Sequence, residues 1–133
     1  MASLTLHALE GLPLIEPGDD LAAIVSAALR RSGHGLRTGD VLTLAQKIVS
    51  KAEGRYLDLG TVEPSPRARE LATIAAKDPR HVEAILRESR EVVRVGPGVL
   101  IVEHRLGFVM ANAGIDESNI AHDGRPRVLL LPL

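Results

Sequence analysis

The 133-residue sequence has no cysteine and no tryptophan, and its only tyrosine and phenylalanine are Tyr56 and Phe108. Without thiols there are no disulfides, thiolate metal sites, iron–sulfur clusters or cysteine nucleophiles. That absence fits a reducing, cytoplasmic setting. The scarcity of aromatics removes the platforms on which single-stranded bases stack and leaves a core to be built from Leu, Val, Ile and Ala. A dominant charge is missing as well: 16 Lys+Arg stand against 17 Asp+Glu. Nucleic-acid binding needs surplus cations to replace counterions on phosphate, so a general nucleic-acid binder is excluded. No apolar run approaches the roughly 20 residues of a membrane span, and the N-terminal MASLTLHALEG lacks the basic segment and long apolar stretch of a signal peptide. No Walker A loop, GxGxxG, GxSxG elbow or HExxH is present. His7, His34, His81, His104 and His122 never fall at ligand spacing and read as surface or locally bonded histidines.

What is present fits one compact domain, with 45% apolar residues. SLTLHA (3–8) alternates in part and predicts a short strand. GLPLIEPGDD, with two prolines and two glycines, predicts a shaped loop. Asp19 or Asp20 then caps a helix whose Leu21, Ile24, Val25 and Leu29 share one face, each worth roughly 1.5–3 kcal/mol when buried. That helix stops near Gly33. VLTLAQKIV (41–49) predicts a buried strand, SKAEGR a turn and YLDL another short strand. Ser65 followed by Pro66, and Asp78 followed by Pro79, predict two more helix starts. Glu83 and Arg87 stand four apart on the second of these. The remaining charges between Glu63 and Arg94 read as solvated helix faces. Strands follow at EVVRV, VLIVEH and LGFVMA, with turns at 96–98 and 105–107, and RVLLLPL predicts a last buried strand. The fold class is α+β, or mixed α/β, with three short helices. The apolar finish at VLLLPL suggests a truncated chain or a sheet completed by a partner.

Three stretches can carry chemistry. In NAGIDESN (112–119), Asn112 and Gly114 favour left-handed backbone. Asp116 and Asn119 are oxygen ligands three apart, suited to a hard cation such as Mg²⁺; an Asx-turn with a helix cap is the commoner use of such residues and is favoured from spacing alone. In AQKIVSKAEG, alternation along a strand places Lys47 and Lys51 on one side and Gln46 on the other. Two ammonium groups there neutralise a polyphosphate, or simply mark a solvated strand end. The loop GLPLIEPGDD can present backbone groups to a base or phosphate, or serve only as a loop and cap.

Taken together, EGLPLIEPGDDL (10–21), GDVLTLAQKIVSKAEGR (39–55), SPRARELA (65–72), ILRESREVVRV (85–95) and GFVMANAGIDESN (107–119) resemble the coenzyme F-420:L-glutamate ligase family, the gamma-glutamyl ligases of the deazaflavin coenzyme. NAGIDESN and VSKAEGR are the most specific of these. The resemblance implies GTP-dependent transfer of the γ-phosphoryl group to a carboxylate of the deazaflavin coenzyme precursor. L-Glutamate then attacks the acyl phosphate, and Mg²⁺ or Mn²⁺, with K⁺, supports the reaction. It implies that Asp116 is catalytic and holds the divalent metal. It further implies that Leu12, Pro13, Leu14, Ile15, Gln46, Lys47, Lys51 and Asn119 contact the nucleotide. It implies an α+β fold that intertwines as a homodimer. The family's domain continues into a second half with an Asp-Thr metal-binding pair that is absent here. Residues 1–133 are therefore expected to be the N-terminal portion of such a ligase. The alternative is a non-catalytic nucleotide-binding or dimerisation fragment.

Overall fold

The computed structural model of the chain describes residues 3–117 and 125–133. These form two compact units, residues 1–54 and 55–133. The first carries α1 (Leu21–Ser32) and α2 (Gln46–Ala52). Asp20 caps α1 by accepting from the Ala23 N–H, and Gly33 closes it in left-handed conformation. Val25 and Ala28 are buried, while Leu21, Ile24 and Leu29 remain only half-covered. The proline-stiffened loop is tied to this unit at three points. The Gly18 N–H donates to the Ala52 carbonyl at 2.8 Å, Arg31 Nη2 to the Gly11 carbonyl at 3.1 Å, and the Glu16 N–H to Asp19 Oδ2 at 2.8 Å.

Two strand expectations fail here. Residues 3–8 form no strand, and Leu4 and Leu6 are 85% and 86% exposed, so partial alternation alone does not make an element without a pairing partner. VLTLAQKIV is not a buried strand: 41–45 are irregular with Val41 exposed, and the helix α2 takes over at Gln46. Short apolar runs leave helix and strand indistinguishable by periodicity, and Gln, Lys and Ala favour the helix. The described residues thus hold four α-helices rather than three.

The second unit is α+β. It contains β1 (Tyr56–Asp58), α3 (Pro66–Ala75), α4 (Pro79–Arg87), β2 (Ser89–Gly96), β3 (Val99–His104), β4 (Val109–Ala111) and β5 (Arg127–Leu129). Strands β2, β3 and β4 form an antiparallel meander, and β1 pairs antiparallel with β5. The β2–β3 turn uses Pro97 and Gly98, whose φ of 73° suits the second position of a type II turn. Ser65 and Asp78 cap α3 and α4 with Pro at the first helical position, as the sequence predicts. The Ser65 N–H has no acid at the third helical position to receive it, and donates instead to Glu83 Oε2 of α4 at 3.0 Å. Burial pushes the Glu83 carboxyl up, but the Ser65 bonds and the Arg87 ion pair outweigh it and hold it below the usual range.

The core gathers Ala68 and Ala72 of α3, Val82 and Ile85 of α4, Leu100 and Val102 of β3, and Val128 and Leu130 of the C-terminal segment. The apolar run 128–131 is therefore buried within its own unit. A charged hub accompanies this core. Glu88, at the end of α4, offers one oxygen, Oε2, to Arg55 Nη2 at 2.8 Å, Arg105 Nε at 3.2 Å and His104 Nε2 at 3.5 Å. Glu88 and Arg55 side chains are only 12% and 17% exposed. Arg55 also donates from Nε to the Leu131 carbonyl at 2.9 Å. Glu88 is therefore not a solvated helix-face residue, contrary to the reading of the charges between Glu63 and Arg94. His104, fully buried, is no surface histidine; it accepts the Leu106 N–H at Nδ1, which puts its own proton on Nε2, toward Glu88.

Glu88→Ala would leave two guanidinium groups around a vacated carboxylate. Removing one member of a buried pair costs about 3 kcal/mol or more. A fall in melting temperature of roughly 10 °C or more is expected by thermal unfolding. A second outcome concerns acid. Burial pushes the His104 imidazole down against the opposing pull of Glu88, so the folded chain keeps it neutral. The unfolded chain takes up that proton below about pH 6.5. The unfolded state therefore binds more protons, and stability falls as pH drops from 7 through this window. His104→Gln should flatten that slope in urea titrations at pH 5.5 and 7. The slope that remains belongs to His81, which burial also pushes down.

Candidate functional site

The segment after β4 makes a sharp bend that only local sequence can supply. Asn112, Ala113 and Gly114 all take positive φ, at 53°, 53° and 67°. Three successive left-handed residues, two of them not glycine, store strain of about 1–2 kcal/mol per non-glycine residue. The Ile115 N–H closes the turn on the Asn112 carbonyl at 3.0 Å, and Ala113 and Ile115 are buried beneath it. The chain then locks onto β5: the Asp116 N–H donates to the Leu129 carbonyl at 2.9 Å, and the Leu129 N–H to the Asp116 carbonyl at 2.8 Å. Asp116, half-buried, is thus placed by its main chain on the lining of a surface cleft.

That surface is an open cleft of about 510 Å³, lined by Lys77, Asp78, His81, Asn112, Ile115, Asp116 and Glu117. The left-handed cap Ala76 ends α3, where the Lys77 N–H returns to the Ala72 carbonyl at 3.0 Å. Lys77 and Asp78 sit in the connection between α3 and α4. Asp78 is spent on Arg80, 2.6 Å away, whose hydrogen bonds hold its carboxyl below the usual range. His81 Nδ1 meets Glu117 Oε1 at 2.8 Å. Burial pushes its imidazole down despite that neighbour, and the positive charge of Lys77 adds to the effect. Asn112 Oδ1 is buried without a hydrogen-bond partner.

The remaining expected site residues lie in the first unit. Leu12, Pro13, Leu14 and Ile15 form part of the tethered loop, with Ile15 buried and Leu14 exposed. Gln46, Lys47 and Lys51 lie on α2 rather than on a strand. The helix keeps the expected pairing for a different reason: Lys47 and Lys51 are one turn apart, and so share a face. Gln46 and Ser50 do the same, with Gln46 Nε2 donating to Ser50 Oγ at 2.7 Å. Asn119 lies outside the described residues. Lys77 was not singled out from sequence, His81 was read only as a surface or locally bonded histidine, and Glu117 stands within NAGIDESN without a role assigned to it.

Hard-metal chemistry fits the donors in a limited way. No group of three or more His, Asp or Glu that could hold a metal exists among the described residues. One carboxylate in an open cleft cannot cage Mg²⁺, but it suits an ion that keeps waters and shares substrate phosphates.

Comparison with known proteins places these features. A family model described as F420-0:gamma-glutamyl ligase matches residues 11–133. The chain is 49% identical over 117 residues to the coenzyme F420:L-glutamate ligase of Methanothermobacter thermautotrophicus, covering 88% of this chain and 46% of that protein. It is 48% identical over 122 residues to the protein of the same name from Methanopyrus kandleri, covering 90% and 46%. The Halobacterium salinarum protein of that name is 44% identical over 131 residues, covering 94% and 48%. The chain spans about half the length of the curated relatives it matches.

Gly114 is the residue on which the bend turns. A Cβ there would stand 2.9 Å from Cγ and Cδ2 of Leu131, in a backbone conformation that L-residues disfavour. Gly114→Ala should cost about 2–4 kcal/mol, the sum of left-handed strain and overpacking. In a denaturant cycle, the double variant Gly114→Ala, Leu131→Ala should recover the packing share but not the strain. Full additivity of the two single costs would show that the contact does not matter.

Proposed function

Because this chain belongs to the F420-0:gamma-glutamyl ligase family, we propose that it is the N-terminal portion of a GTP-dependent ligase that adds L-glutamate to the deazaflavin coenzyme precursor. The observation that carries this reading is the placement of Asp116: a strained left-handed turn and a main-chain bridge deliver one carboxylate to an open cleft.

The chemistry follows from charge. GTP's γ-phosphoryl group passes to a terminal carboxylate of the precursor, giving GDP and an acyl phosphate. The α-amine of L-glutamate then displaces phosphate and forms the amide. Such a transfer is governed by positioning and charge neutralisation. Asp116, with Asn119 beside it in sequence, is the residue proposed to hold Mg²⁺ or Mn²⁺, which when bound would neutralise phosphate charge. Lys47 and Lys51, on one face of α2, offer two ammonium groups to the polyphosphate. Leu12 to Ile15 offer a loop stiffened by prolines, one that loses little entropy on meeting a nucleotide. K⁺ binding, a homodimeric assembly and a cytoplasmic location belong to the same proposal. No helix among the described residues is long and apolar enough to cross a membrane.

A second reading is a nucleotide-binding or dimerisation module without catalysis, since among the described residues no group of three or more His, Asp or Glu gathers that could hold a metal. Titration calorimetry with GTP and Mn²⁺, followed by a glutamylation assay, separates the two: binding without turnover supports the module.

Asp116→Asn is expected to lower Mn²⁺-dependent glutamylation by roughly 100-fold or more in the protein that carries this segment. The fold should be kept, with a circular-dichroism spectrum like the parent's, because the two bonds to Leu129 use only main-chain atoms. Glutamylation at the unsubstituted rate would remove the metal role from Asp116.

A further inference from the structure

The seven residues around the cleft include three carboxylates and one side chain that is always cationic, Lys77. Asp78 pairs with Arg80 and Glu117 with His81, and Asp116 is not free either. His81 adds no reliable positive charge, since burial favours its neutral form. Lys77 itself forms no ion pair among the described residues. Its stem is half-buried, and its backbone is held by the bond from its N–H to the Ala72 carbonyl and by the left-handed cap at Ala76. The ammonium is therefore carried on a fixed base, with three donors and no carboxylate assigned to them.

Lys77 is thus the lysine on this lining, and no ion pair with a described residue engages its ammonium. We propose that Lys77 is the anion-recognising residue of this cleft, binding a ligand oxyanion. The geometry rests on the ligase reading given above, but the role is separate from that of Asp116. Two oxyanions of that reaction share this chemistry: a phosphate of the nucleotide and a carboxylate of L-glutamate. Lys77 acts on either as a point charge, and any cation of similar reach serves in its place. Asn112, on the same lining, has a buried Oδ1 without a partner; as an acceptor it calls for a donor group and not for the oxyanion.

The test uses the 133-residue chain in calorimetric titrations with GTP plus Mn²⁺ and, separately, with L-glutamate. Lys77→Met keeps the aliphatic stem and removes the charge; Lys77→Arg keeps the charge. The main-chain bond to Ala72 survives in both, and matching melting curves verify that each folds. The proposal expects Lys77→Met to weaken one ligand by roughly 10- to 100-fold, with Lys77→Arg restoring most of it. Loss confined to GTP identifies the phosphate, and loss confined to L-glutamate identifies the carboxylate. Unchanged affinities for both in Lys77→Met overturn the proposal, and so does a loss that Lys77→Arg fails to reverse. In that case Asp116→Asn still reports on the ligase reading, through Mn²⁺-dependent GTP binding. A parent chain that binds neither ligand overturns both.

Discussion

One carboxylate oxygen organises the second unit. Glu88 Oε2 lies within 2.8 Å of Arg55, 3.2 Å of Arg105 and 3.5 Å of His104. Two guanidinium groups would repel each other in a partly dry setting, and the shared carboxylate makes their approach favourable. The consequence reaches the cleft. Arg55, held by Glu88, donates a hydrogen bond from Nε to the Leu131 carbonyl, and its own carbonyl accepts the Leu130 N–H. Leu131 packs over Gly114, the last residue of the left-handed turn. Gly114 leads directly to Asp116, two residues on. A chain of contacts therefore runs from an ion pair at the end of α4 to the carboxylate at the cleft.

The cleft shows how a strained backbone serves placement. Left-handed geometry at Asn112 and Ala113 costs energy that a relaxed loop would not, and the bridge to Leu129 together with burial of Ala113 and Ile115 offsets it. Main-chain anchoring holds this segment whatever side chain stands at position 116, because both bonds between Asp116 and Leu129 join backbone atoms. Around it, Asp78 pairs with Arg80 and Glu117 meets His81. Lys77 brings a positive charge to the same lining as Asp116.

Much of this arrangement was legible in the residues. Ser65-Pro66 and Asp78-Pro79 announce two helix starts because Ser and Asp accept orphan N–H groups and Pro needs none of its own. Pro97-Gly98 announces the hairpin, and the resemblance carried by NAGIDESN and VSKAEGR pointed to the family that the comparisons then matched over residues 11–133. Other elements were not legible. VLTLAQKIV mixes a β-like start with a helical end, and its apolar run is too short for periodicity to decide. Arg55 stood inside a motif read for nucleotide contact, while its structural work depends on Glu88, 33 residues away. One clue was on the page: an acid in the last turn of a helix opposes the dipole, so Glu88 needed cations from elsewhere.

The sequence by itself determined where helices begin, where the chain turns and which residue types can meet phosphate or a hard cation, because those depend on neighbours within a few positions. It also carried the family resemblance, which resides in the order of short motifs. Tertiary structure alone decided that Arg55, Glu88, His104 and Arg105 converge, that Leu131 sits over Gly114, and that Lys77 shares a cleft with Asp116. The reason is physical: charge pairing and close packing depend on distance in space, and the folded chain brings residues from opposite ends of a unit within a few ångströms.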